Sequence, residues 1–171
     1  MKKIPFKTLA FALLALTLIS CGSSRKSSVG AYGSPSLKQT LLDELTFKID
    51  YFSEDPTYGY AQENPIMVGG AKEGNGPLNE RRFLNALTGP NGEEVNYSRD
   101  GSCCHFATKN SPFGDAGLLD IYSITYSGLK EPIKLYINMY DSDTLKVPVG
   151  FKLKYQKDVK PFVAQSLISP H

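Results

Sequence analysis

The chain has 171 residues and a formal charge of +2 at neutral pH, with ten tyrosines, nine phenylalanines and no tryptophan. Three lysines fall within the first seven residues, so the rest of the chain is close to charge balance and offers no basic surface for nucleic acid. The length is enough for one domain with a real core and short of the roughly 200–250 residues that a (β/α)8 barrel needs.

Lys2, Lys3 and Lys7 precede an uncharged apolar run, Leu9–Ile19, that fits a secretory signal and is too short to span a bilayer as a helix. Leu18-Ile19-Ser20-Cys21-Gly22 resembles the bacterial lipobox, in which the cysteine is lipidated and the chain is then cleaved before it. The resemblance implies residues 1–20 as signal peptide and Cys21 as a membrane anchor. Gly22 rather than Asp follows Cys21, and no acidic run comes after it. The periplasmic face of the outer membrane is therefore expected in preference to the cell surface. Residues 21–36 are rich in serine and glycine and read as a flexible tether reaching about 20 Å. Arg25 and Lys26 within it read as solvated linker charges.

Residues 37–156 read as a single α+β domain, mainly an antiparallel sheet of five to six strands with two short helices, and residues 157–171 as a C-terminal tail. Ser36 and Gln39 are spaced as a capping box, and Leu37, Leu41 and Leu45 recur at helical spacing, so a first helix is expected here. Phe47, Ile49 and Tyr51 then alternate as a strand. A turn follows around Tyr58-Gly59-Tyr60, and a short apolar strand from Pro65 ends at Gly69-Gly70. Pro77–Leu87 is the clearest helix, with Pro77 in its first turn, Glu80 complementing the N-terminal dipole and Gly89-Pro90 as its stop. Phe83, Leu84 and Leu87 form its buried stripe. That places Arg81 and Arg82 outward, where they grip a phosphate or carboxylate or, more ordinarily, are solvated.

Asp100-Gly101 is a strong two-residue turn signal. It predicts a hairpin with Val95, Tyr97, Cys104 and Phe106 on a core face, and Asn96, Ser98, Cys103 and His105 on a polar one. Leu118–Tyr126 and Ile133–Tyr140 predict a second hairpin, Asp141-Ser142-Asp143 a turn, and Val149–Tyr155 a last strand.

Once Cys21 is lipidated, Cys103 and Cys104 remain. Two outcomes stay open for them: a vicinal disulfide, which requires the strand to break, or a buried inert thiol at Cys104, the commoner outcome. Cys103 and His105 share the expected polar face about 6.5–7 Å apart, with Asn96 opposite as an orienting group, which makes them candidates for thiol catalysis. Asp120 interrupts an apolar strand; it sits at a sheet edge, pairs with an arginine or lines a pocket. Tyr58 and Tyr60, with Arg81 and Arg82, are the candidates for binding. One Cys and one His beside the terminal His171 fall short of a zinc site, Asp115, Asp141 and Asp143 lack an EF-hand pattern, and no cofactor motif occurs.

The stretches Asn64-Pro65-Ile66-Met67-Val68-Gly69-Gly70, Gly76-Pro77-Leu78-Asn79-Glu80-Arg81-Arg82-Phe83-Leu84 and Gly117-Leu118-Leu119-Asp120-Ile121-Tyr122, with Tyr58-Gly59-Tyr60, are similar to a family of small lipoproteins of Gram-negative bacterial envelopes. The similarity covers roughly residues 47 to 151. Members sometimes carry the name 2-dehydro-3-deoxyphosphooctonate aldolase, an activity of cytoplasmic (β/α)8 barrels. The exported chain is too short for that fold and lacks a βα repeat, and no catalytic residue carries over. The expectation is a membrane-anchored, non-catalytic binding or scaffolding module with a periplasmic protein or glycan partner. The alternative is a small periplasmic enzyme or redox-responsive protein built on Cys103 and His105 or on Asp120.

Overall fold

The computed structural model describes residues 37–155, together with the backbone of 160–161. Cys21, the tether, the capping-box residue Ser36 and most of the expected tail lie outside the described residues. In chain order the elements are β1 (Leu41–Asp43), β2 (Thr46–Phe47), β3 (Tyr51–Phe52), β4 (Ile66–Met67), α1 (Gly76–Leu84), β5 (Leu87–Thr88), β6 (Asn96–Ala107), β7 (Ala116–Thr125), β8 (Ile133–Asn138), β9 (Lys146–Val147), β10 (Lys152–Leu153) and β11 (Lys160–Pro161). The described residues are thus mainly β, with one short helix rather than the two expected.

A four-stranded sheet in the order β4-β8-β7-β6 forms the body. β7 and β8 pair antiparallel, as their alternation predicts, and β4 adds in parallel to β8. Directly opposed residues share a face, so Tyr122 stands with Leu135 and Asp120 with Ile137. Ile124 and Ile66 continue this face, and α1 covers it with Phe83 and Leu84. Phe83, Leu84, Ile66, Ile124, Leu135 and Ile137 are all at most 1% exposed. Each such side chain contributes about 1.5–3 kcal/mol of burial. Smaller pairings close the body: β5 with β10, and β3 between β9 and β11.

Helix α1 starts at Gly76, with Pro77 in the first turn, where its missing N–H costs nothing. It ends at Leu84, and Leu87 passes into β5 while remaining buried. Gly70, at φ +97°, lets the chain pass so close to the helix that a Cβ there would meet Asn79 Nδ2 at 2.3 Å. The Asn79 amide uses this approach to donate to the Gly69 carbonyl at 2.9 Å.

Three expectations are corrected. The leucines at 37, 41 and 45 do not form a helix: β1 and β2 make a small antiparallel hairpin, with Leu41 paired to Phe47. Asp43 Oδ1 accepts from Leu45 N at 2.8 Å, a local turn that competes with helix and wins once Phe47 is drawn into the core. The leucines stay exposed, Leu45 by 60%.

Asp100-Gly101 is not a hairpin turn. β6 runs straight through it and pairs antiparallel with β7 along its whole length, from Asn96 opposite Thr125 to Ala107 opposite Ala116. A long ladder with a distant partner outweighs a two-residue local preference. Asp100 is instead the extra residue of a bulge between Arg99 and Gly101, and its carboxylate accepts from Ser123 Oγ at 2.6 Å. The last strand is also shorter than expected, with only Lys152 and Leu153 paired, to β5.

Candidate functional site

Arg99, Ser102 and Asp120 come together where β6 crosses β7. Arg99 grips the Asp120 carboxylate with both ends of its guanidinium fork, Nε to Oδ2 and Nη2 to Oδ1, each at 2.8 Å. Ser102 Oγ donates to the same Oδ1 at 2.7 Å. Asp120 is buried while the Arg99 side chain keeps about half its surface in solvent, so the pair runs from core to surface. Of the three places open to Asp120, pairing with an arginine is the one found, on a strand flanked on both sides rather than at an edge.

Beneath Asp120 lies Glu80 of α1. Its helical position is in step with Phe83, Leu84 and Leu87, so it points into the core rather than serving the helix dipole in solvent. It is fully buried. Oε2 accepts from Tyr122 Oη at 2.9 Å, and Oε1 has no hydrogen-bond partner. Burial, followed by the negative charge of Asp120, pushes the Glu80 carboxyl up to about 8. The neutral acid is therefore the form that fits the core. Burial raises the Tyr122 hydroxyl as well, with Glu80 adding to the effect.

Asp141 is equally buried and differently served. It accepts from Thr108 Oγ1 at 2.6 Å, Asn110 Nδ2 at 2.7 Å and Asn138 Nδ2 at 3.1 Å. Its own N–H donates to Asn138 Oδ1 at 3.0 Å. This network ties the loop after β6 to the turn after β8, so Asp141 is a structural anchor and more than a turn residue.

The cysteines resolve one open question. Cys103 and Cys104 are joined by a disulfide, which corrects the reading of Cys104 as a buried inert thiol. The strand does break as such a bond requires: Cys104 is the unpaired residue of a second bulge, at φ +61°. Cys103 therefore has no free thiol to act as a nucleophile. Asn96 pairs with Thr125 and His105 with Leu118, at far ends of β6, so Asn96 cannot orient His105. Both carboxylate oxygens of Asp120 are taken by Arg99 and Ser102, and His105 is exposed.

The candidate binding residues are also spent on structure. Tyr58 is buried, its ring lies under Lys146 Nζ at 5.5 Å from the centroid, and its Oη accepts from Lys146 N at 3.3 Å. Tyr60 Oη donates to the Val149 carbonyl, and burial pushes that hydroxyl up to about 12. Arg82 braces the β1–β2 hairpin, Nε donating to the Glu44 carbonyl at 2.9 Å and Nη1 to Asn79 Oδ1 at 3.0 Å. Arg81, on the last turn, is exposed.

The open space lies elsewhere. A groove of about 970 Å³ runs between the β1–β2 hairpin, the end of α1, β5 and the residues after β10. Asp43, Glu44 and Glu94 give it carboxylates, Leu45 and Tyr155 exposed apolar surface, and Lys154 a cation. A second groove of about 480 Å³ shares the hairpin and Tyr155, and takes in Leu42 and Ile49. Neither groove reaches Asp120, Cys103 or His105. Sequence reading missed the grooves because they form from four separated segments. It missed Glu80 although that residue sits at i, i+3, i+4 and i+7 spacing with three core residues. Among the described residues no group of three or more His, Cys, Asp or Glu is placed to hold a metal, and no helix is long and apolar enough to cross a membrane. No known protein family, curated protein or solved structure matches the chain.

Proposed function

We propose that this chain is a lipid-anchored envelope protein that binds an extended protein segment, without catalysis, in the groove beside its β1–β2 hairpin. The observation that carries the reading is that groove: about 970 Å³ of open space with carboxylates on its walls and Leu45 and Tyr155 exposed at its rim. Its chemistry suits a partner segment that alternates basic and apolar side chains. A glycan is the second reading, favoured by the exposed Tyr155 ring at the rim.

The lipobox-like Leu18-Ile19-Ser20-Cys21 supports the anchor, and Gly22 after Cys21 supports the periplasmic face of the outer membrane. The resemblance to small envelope lipoproteins agrees with both. The hairpin, β1 and β2, is the first element after the expected tether, residues 21–36, and supplies one wall of the groove.

The test places a photocrosslinking residue at Tyr155 in cells that make the full chain. A discrete adduct is expected, its mass separating a protein from a glycan, and it should disappear when Leu45→Glu is added. No adduct at Tyr155, or an adduct indifferent to Leu45→Glu, would sink the groove reading. In the same cells Cys21→Ala should release the protein from the membrane fraction; retention there would sink the anchor.

A further inference from the structure

The Cys103–Cys104 disulfide has no part in the groove, yet its setting is unlike that of a structural crosslink. Joining adjacent residues, it closes no loop of chain and so adds little of the loop-closure constraint by which disulfides stabilise folds. It lies on β6, which among the described residues pairs only with β7 and stands at the edge of its sheet. Both cysteines are part-exposed. Cys103 is opposite Leu119 and His105 opposite Leu118, so Cys104 is inserted between two paired residues with no partner of its own. Among the described residues Cys104 is the only non-glycine at positive φ, a conformation disfavoured for a residue with a Cβ. Two things hold it there: the fixed register on either side and the covalent ring to Cys103. A constrained residue, an accessible sulfur pair and a sheet edge coincide at one place.

We propose that Cys103–Cys104 is a thiol–disulfide exchange site that accepts two electrons from a dithiol, and that its opening loosens the β6 bulge. A thiolate of the donor attacks one of the two sulfurs, and the Cys103–Cys104 bond breaks as a mixed disulfide forms. The departing cysteine sulfur takes up a proton. The donor's second thiol gives up its proton and, as a thiolate, attacks the mixed disulfide, releasing the other cysteine as a thiol and leaving the donor as its own disulfide. Two electrons and two protons pass to the protein, and one disulfide is exchanged for another. With the ring open, Cys104 is held only by its neighbours' pairing, and the amides around it exchange faster.

The folded full chain is treated with dithiothreitol, alkylated and cleaved with trypsin, which frees residues 100–109 as one peptide carrying both cysteines. Two alkyl groups on that peptide are expected without denaturant. Amide exchange across residues 103–106 should rise by roughly an order of magnitude, with β8 unchanged. A Cys103→Ser, Cys104→Ser double variant should show the fast pattern before any dithiol is added. A disulfide that yields only after denaturation would overturn the exchange site. Labelling with unchanged exchange at 103–106 would overturn the loosening. A reduced thioredoxin at equal dithiol concentration identifies the donor: faster opening assigns it to a protein, and equal or slower opening to a small dithiol.

Discussion

On the β6 side of the molecule, Arg99, Ser102 and Asp120 form one hydrogen-bonded cluster, and Tyr122 and Glu80 a second beneath it that feels the charge of Asp120. At the hairpin end, Leu45, Glu94, Lys154 and Tyr155 face an open groove with little holding them to one another. The residues that look most reactive in the sequence are thus engaged with each other, and the open space is lined by residues that look unremarkable. Perturbed acids and paired charges mark functional sites often, but structural networks perturb them too. Here the distinguishing feature is room: the β6 cluster is filled by its own side chains, whereas no described residue fills the hairpin groove.

If that contrast is right, the β6 side should answer to mutation with stability and the hairpin end with binding. The largest effect is expected at Arg99. Arg99→Ala leaves the Asp120 carboxylate buried without its cation and should cost about 3 kcal/mol in denaturant unfolding. The loss of Asp120 leaves only a half-exposed guanidinium, so Asp120→Asn should cost less, about 1–2 kcal/mol. Equal costs would mean that the pair is solvent-relaxed and the core-to-surface description is wrong.

Next comes the pH dependence due to Glu80. Its folded-state value, raised to about 8 from 4.5, means that the folded protein binds a proton that the unfolded chain has lost between those two values. Its contribution is therefore complete below pH 4.5, falls as pH rises toward 8 and is gone above it. The slope is at most about 1.4 kcal/mol per pH unit for one proton. Glu80→Gln should remove this slope, so the difference between wild type and variant, followed by urea midpoints from pH 5 to 8, isolates the proton. Parallel curves would show that Glu80 is ionised in the fold.

Thr108→Val removes one of three side-chain hydrogen bonds to Asp141 and should cost about 1 kcal/mol in denaturant unfolding. The smallest stability change is expected in the groove. Leu45→Ser removes a side chain that is 60% exposed, and should shift stability by no more than about 0.5 kcal/mol while abolishing the crosslink formed from position 155. A large stability loss there would make the groove a structural seam.

How far the sequence shows these two regions follows from the range of the interactions involved. The β7–β8 hairpin is legible because alternation and a turn-rich connection are local signals that agree with the fold. The start of helix α1 is legible from Pro77, whereas its end at Leu84 is not, because the chain passes into β5 before Gly89-Pro90 is reached. The β1–β2 hairpin is not, because leucines at 37, 41 and 45 satisfy a helical period and only the Asp43 turn and the Phe47 pairing break it. β6 is misread because Asp100-Gly101 is locally persuasive, whereas the pairing that overrides it comes from residues 116–125. Arginine pairing is legible for Asp120 as one option, but Arg99 as the partner depends on the β6–β7 register. The strand break at Cys103-Cys104 is legible only as the condition of one of two open outcomes, and neither the bond itself nor its accommodation as a bulge is legible.

The division between a filled β6 side and an open hairpin end is tested most directly by amide hydrogen exchange on the full chain, in the membranes of the cells that make it and again in detergent without them. Protection in the membranes should be confined to the groove walls, residues 41–47, 85–95 and 152–155, with residues 97–105 unchanged. Protection centred on 97–105, with the groove exchanging as it does in detergent, would contradict the assignment and move the binding surface to the β6 edge.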